Sequence, residues 1–129
     1  MEAYHLGHWD IVREVLKRED VDVNVRDNRG RTIFYLASVE DRWDVVLQLL
    51  RHDKVDVNAQ GIHGLTALMW ASLKGRLDMV RELLNDSRVD VTVRNKAGST
   101  VHDIARNCKM NEIASFLERR EREATRREL

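Results

Sequence analysis

The strongest constraint on this chain is a period. Val-Asp-Val-Asn occupies residues 21–24 and 55–58, and Val-Asp-Val-Thr follows at 89–92, an interval of 34 residues each time. Around these strings three stretches, 24–57, 58–91 and 92–125, align without gaps. Gly30, Gly64 and Gly98 fall in register, as do Thr32, Thr66 and Thr100, and Ala37, Ala71 and Ala105. Residues 3–23 fit the same frame from its middle onward, with Ala3 in register with Ala37 and Trp9 with Trp43. A fixed period of this length means stacked supersecondary units, each too small to bury its apolar face without its neighbours.

Each unit reads as two short helices. Thr32, Thr66 and Thr100 are N-cap residues, whose hydroxyl accepts a bond from an orphan amide of the first turn. "IFYLASV" (33–39) and "ALMWASL" (67–73) follow as first helices, and "EDR" or "KGR" breaks the chain. The second helices, within 42–51 and 76–84, carry apolar residues at helical spacing: Trp43, Val45, Val46, Leu49 and Leu50, then Leu77, Met79, Val80, Leu83 and Leu84. Helices this short are marginal alone in water, so stacking must stabilise them. The links "VDVNVRDNRG", "VDVNAQGIHG" and "VDVTVRNKAG" turn two valines inward and one carboxylate outward, then favour a turn through Asn, Asp and Gly.

The expected fold is therefore an all-α solenoid of stacked antiparallel helix pairs joined by β-hairpin-like fingers. The expected organisation is one domain over 1–129. It comprises a partial repeat at 1–23, repeats at 24–57 and 58–91, a closing repeat at 92–117 and a charged helical extension at 118–129. Within the extension, Glu118–Arg122 and Glu123–Arg127 have ion-pair spacing.

Composition narrows the function classes. With 22 basic and 22 acidic residues the chain is neutral, which argues against a bulk electrostatic grip on nucleic acid or an anionic membrane. No apolar run approaches the roughly 20 residues of a membrane span. The opening "MEAYHLGHWDIVREVL" has early charges and no apolar core, so a secretory leader is not expected and "NDS" at 85–87 carries no weight as a glycosylation site. Cys108 is the single cysteine, which excludes an intrachain disulfide and suits an intracellular, reducing setting, cytoplasmic or nuclear. No metal or other cofactor is expected: His5 and His8 share a helical spacing, but His52, His63 and His102 lie in different repeats. Cys108 has His102 upstream yet no oriented third group, and no phosphate loop or nucleophile elbow is present, so no catalytic residue is assigned.

A unit with Gly-x-Thr ahead of one helix, a second helix ending in Leu-Leu and an Asp-Val-Asn exit resembles the ankyrin repeat, most closely in "GLTALMWASLKGRLDMVRELL" at 64–84. The departures are specific. The family's proline slot holds Ile33, Ala67 and Val101, and its histidine slot holds Tyr35, Met69 and Asp103. "RED", "HDK" and "DSR" replace the usual Gly-Ala and lengthen the repeat by one residue beyond the family's roughly 33. The second helix is thus expected to end through an Asn, Asp or His in the left-handed region.

The resemblance implies a non-enzymatic protein–protein interaction module that grips its partner with finger tips and the groove of first helices. Carried over by position, the finger residues are Arg26, Asn28, Arg29, Arg31, Gln60, Ile62, His63, Leu65, Arg94, Lys96, Ala97 and Ser99. The groove residues are His5, Leu6, Val39, Glu40, Leu73, Lys74, Asn107 and Cys108. Basic outer fingers around an apolar centre (Ile62, Leu65, Leu73) match a partner protein offering an apolar segment flanked by acidic groups. Packing of Ile62 and Leu65 onto neighbouring fingers is the competing account of those two residues. The alternative to a natural partner is a self-associating or engineered ankyrin scaffold. A homodimer would then form through the N-terminal end, where Trp9 and Ile11 lack a complete repeat ahead of them. Trp43 and Trp70 are expected in the core, with Trp9 more exposed.

Overall fold

The computed structural model describes residues 9–18 and 20–128, with side chains through 123. Among the described residues seven α-helices follow one another: α1 Trp9–Val15, α2 Ile33–Val39, α3 Trp43–Leu50, α4 Ala67–Leu73, α5 Leu77–Leu84, α6 Val101–Asn107 and α7 Asn111–Glu128. Thr32, Thr66 and Thr100 cap α2, α4 and α6 by accepting from the amides of Tyr35, Met69 and Asp103. Asp103 returns its carboxylate to the Thr100 amide, completing a capping box.

Helices α2 and α3, α4 and α5, and α6 and α7 pair, while α2, α4 and α6 stack in one row and α1 packs on α3. The core runs the length of the stack: Phe34, Ala37, Val45, Val46, Leu49, Ala67, Ala71, Val80 and Ala105 are completely sealed from solvent. Trp9 and Trp43 join it, so the more exposed Trp9 expected from the sequence is corrected. The guanidinium of the next repeat covers each ring, Arg42 over Trp9 at 5.7 Å and Arg76 over Trp43 at 5.9 Å. Trp70 packs against the core as expected but is only partly buried, and Lys74 lies 5.6 Å from its ring centre.

The left-handed residues sit elsewhere than the sequence implied. Asp41, Gly75 and Lys109 share one register position between the paired helices and take φ of 60°, 69° and 57°. The second helices instead end right-handed at Arg51 and Asn85. Their terminal carbonyls are met from the following repeat. His52 Nε2 bonds the Leu16 carbonyl at 3.0 Å, Arg88 Nη2 donates to Leu50 at 2.8 Å, and Arg120 Nη2 donates to Leu84 at 2.5 Å. A side chain from outside thus replaces the missing glycine cap.

The Asn of Val-Asp-Val-Asn is a second link between repeats. Asn24 donates from Nδ2 to the Lys54 carbonyl (2.6 Å) and accepts at Oδ1 from the Asp56 amide (2.8 Å). Asn58 does the same to Arg88 (2.9 Å) and Asp90 (2.8 Å). Thr92, the third copy, turns its hydroxyl onto Asp90 instead. The aspartate two residues before each closes a local turn by accepting the amide of residue 24, 58 or 92.

The last helix docks rather than floats. Arg106 meets Glu118 at 3.7 Å, so Glu118 pairs with the helix before it as well as standing at ion-pair spacing from Arg122. Arg81 lies over the Phe116 ring at 5.4 Å. The expected Glu123–Arg127 pair lies outside the described side chains.

Candidate functional site: the finger row

The fingers are tight turns, each closed by two backbone bonds, one of them from the amide of Gly30, Gly64 or Gly98 back to Asp27 (2.9 Å), Gly61 (3.0 Å) or Asn95 (3.0 Å). The amide of Asp27 donates to Arg31, that of Gly61 to Leu65 (both 2.9 Å) and that of Asn95 to Ser99 (3.0 Å). Gly30, Gly64 and Gly98 reverse the chain at φ of 77°, 75° and 82°, a region that costs an L side chain free energy. No strand occurs among the described residues, so the hairpin-like fingers are single turns there.

One side chain braces every turn. Arg26 donates to the Gly30 carbonyl at 2.7 Å, Gln60 to Gly64 at 2.8 Å and Arg94 to Gly98 at 2.6 Å. Gln60 also reaches the Arg94 carbonyl at 2.8 Å, and the Lys96 amide donates to His63 at 2.9 Å, fastening the second finger to the third. Arg26 further lies 3.8 Å from Asp56. Three residues assigned to partner contact from the sequence therefore have framework work as well.

The next position fixes the tip. Asp27 accepts the amides of Arg29 and Arg31 and pairs with the Arg31 guanidinium at 2.8 Å. Burial alone would raise the Asp27 pKa, but the Arg31 and Arg29 amides and the Arg31 guanidinium outweigh it and hold the carboxyl below its usual range. Asn95 plays the same part for Ala97 and Ser99. The middle finger has Gly61 there. A Cβ at Gly61 would stand 2.1 Å from Tyr35 Cζ, because the Tyr35 ring fills the space, and its hydroxyl accepts the Ile62 amide at 3.0 Å. The tyrosine in the histidine slot thus organises the neighbouring finger.

These uses sort the expected site residues. Arg31 is tied to Asp27, and Leu65 is sunk into the core at 9% exposure, which favours the packing account for that residue. Lys74 donates to the Val39 carbonyl at 2.6 Å and to Asp41 at 2.9 Å, capping α2. That bond, with the Lys74 charge, holds Asp41 below the usual carboxylate range. Val39, Leu73 and Ser99 are half-buried, while Glu40, Asn107 and Cys108 are exposed. His5 and Leu6 lie outside the described residues. Asn28, Arg29, Ile62, His63, Lys96 and Ala97 remain exposed at the tips, Ile62 at 54%. They form two register rows, Asn28–Ile62–Lys96 and Arg29–His63–Ala97.

The stacked helix pairs, threonine caps and glycine-turned fingers decide the family together with one comparison: a family model for ankyrin repeats, in three copies, matches residues 1–95. The chain belongs to the ankyrin-repeat family. No curated protein matches the sequence. Ankyrin repeats generally serve as protein–protein interaction modules rather than enzymes. No helix among the described residues is long and apolar enough to cross a membrane. In this ankyrin array Cys108 is the exposed residue ending α6, and His102 Nε2 lies 3.6 Å from Glu121. The inter-repeat roles of Asn24, Asn58 and Tyr35 were missed from sequence; the one available signal was that Asn gives way to Thr in the last copy.

Proposed function

We propose that residues 1–129 act as one non-enzymatic interaction domain that holds another protein along the finger row. The first-helix groove, at Val39, Glu40, Leu73 and Lys74, forms the floor beside it. The carrying observation is the composition of the tips left over after the framework bonds. Ile62 is 54% exposed at the centre of the row, with Arg29 on one neighbouring finger and Lys96 on the other. An exposed aliphatic centre between cations suits a partner segment that is apolar in the middle and acidic at both ends. Burying Ile62 would give about 1.5–3 kcal/mol, and the outer cations add steering and register more than affinity. The single cysteine supports an intracellular setting, cytoplasmic or nuclear.

The test is affinity capture with the wild type and with an Ile62→Asp/Lys96→Glu double variant of matched helix content. The reading expects partners held by the wild type to be lost from the variant. An unchanged set of captured proteins contradicts the finger row as the binding face.

A further inference from the structure

The finger row is not evenly closed. Between the second and third fingers the Lys96 amide donates to the His63 carbonyl at 2.9 Å, and a Cβ on Gly64 would stand 2.8 Å from the Lys96 nitrogen. One repeat earlier the residues in those places are Ile62, Arg29 and Gly30. There the Ile62 amide donates to the Tyr35 hydroxyl instead, at 3.0 Å. Gly30 closes the same turn as Gly64 at nearly the same φ, 77° against 75°, so its missing Cβ also points at the following finger. Beyond its chain neighbours that Cβ would meet nothing within 4 Å.

The cause is one side chain. Tyr35 and Met69 stand in register, and only Tyr35 carries a hydroxyl. A backbone amide withdrawn from water must find a partner. In the repeat of Met69 the next finger's amide finds the carbonyl of the finger before it; in the repeat of Tyr35 it finds the phenol. A gap is left between the first and second fingers where the second and third touch. The tip residues at its two sides are Arg29 and Ile62. Arg29 is exposed and holds no ion pair among the described residues, and Ile62 is 54% exposed.

We infer that this gap is the anchoring subsite of the finger row. Its occupant is an aliphatic side chain on an extended segment of a partner protein, with a carboxylate beside it on Arg29. Ile62 supplies the apolar contact, Gly30 adds no side chain to the space, and the unpaired guanidinium selects the acid. An extended segment turns alternate side chains to opposite sides, so one enters the gap while the backbone crosses the tips. The boundary between the second and third fingers is shut by the Lys96–His63 bond and takes no such group. This inference rests on the finger row as the binding face and adds which boundary does the gripping.

The probe is a phage-displayed library of random linear peptides, selected on the full chain, with the enriched peptides then synthesised and titrated by fluorescence anisotropy. They are expected to carry an aliphatic residue with Asp or Glu within about two positions, because Arg29 borders Gly30 and an extended chain advances about 3.3 Å per residue. Gly30→Asn puts a side chain into the gap at a φ that asparagine tolerates. Gly98→Asn does the same at the far edge of the row, where φ is 82° and the space is equally open. Gly30→Asn should weaken binding about tenfold or more, and Gly98→Asn by no more than about twofold. Arg29→Ala, which leaves the backbone untouched, should abolish the preference for Asp and Glu over Asn and Gln in the same peptides. Equal losses in the two glycine variants would trace the effect to strain and overturn the subsite, as would enriched peptides without the aliphatic–acid pair, or no enrichment. Peptides lost by Ile62→Asp/Lys96→Glu but held by Gly30→Asn would overturn the subsite and leave the finger row standing. Peptides held by every variant would contradict both.

Discussion

Arg88 reaches back across a repeat boundary to the carbonyl of Leu50, 2.8 Å away, and closes the end of α3. The same guanidinium donates to the His52 carbonyl at 2.8 Å and is held by Asp86 at 2.6 Å. The bond to the carboxylate orients the cation, and the cation supplies the donor that a glycine-ended helix would find in its own backbone. Arg88→Ala is expected to cost about 1.5–3 kcal/mol, measured by urea unfolding. Arg88→Lys should recover only part of this, because one ammonium cannot match the planar fork. A loss under a few tenths of a kcal/mol would show that water replaces the cap without penalty.

Asp86 links this contact to pH. The Arg88 hydrogen bond is the main reason its carboxyl sits below the ordinary aspartate value of 3.8. A depressed folded-state value means stability that is fully present above 3.8 and lost as pH falls through the folded value. Asp27 behaves alike through the Arg31 and Arg29 bonds. The urea midpoint should therefore be flat from neutral pH down to about pH 5 and fall below about pH 4. Asp86→Asn should start lower and fall less. Parallel acid slopes for the two proteins would contradict the assignment.

Tyr35 and Gly61 interlock. Gly61 has φ of −112° and ψ of −133°, and a Cβ on it would collide with the Tyr35 ring. Gly61→Ala should cost about 1–3 kcal/mol by displacing the Tyr35 ring, and Tyr35→Leu should make that cost smaller. Additive losses in the double-variant cycle would mean that the two residues do not meet.

The tryptophans give a contrast within one chain. Trp43 is 6% exposed, whereas Trp70 is half-buried. Trp43→Ala should cost about 3–5 kcal/mol through the cavity it leaves. Trp70→Ala should cost clearly less, and thermal melts of the two variants check the order. Equal losses would place Trp70 in the core after all.

What could be read from the sequence was what is local or periodic. Thr32, Thr66 and Thr100 announce their helices because a cap acts within three residues, and α2 and α4 run over the residues that periodicity gave. What escaped is long-range. Nothing near Asn58 in the chain says that its amide spans to Asp90, nor anything near Leu50 that Arg88 ends its helix. The degree to which Trp70 and Leu65 are covered was not legible for one reason: position in the repeat sets which way a side chain points, but its size and its neighbour's size set how far it is covered. In the candidate site, Arg26, Gln60 and Arg94 looked free because the carbonyls they bind cannot be seen in a sequence.

The central claim is that the finger row, not the rest of the surface, meets the partner. A photo-reactive residue placed at Ile62 tests it directly against the same residue at Leu47, which is 37% exposed on α3, outside the finger row. The account predicts discrete protein adducts from position 62 and none from position 47. Equal labelling at the two positions, or adducts from position 47 alone, would contradict it.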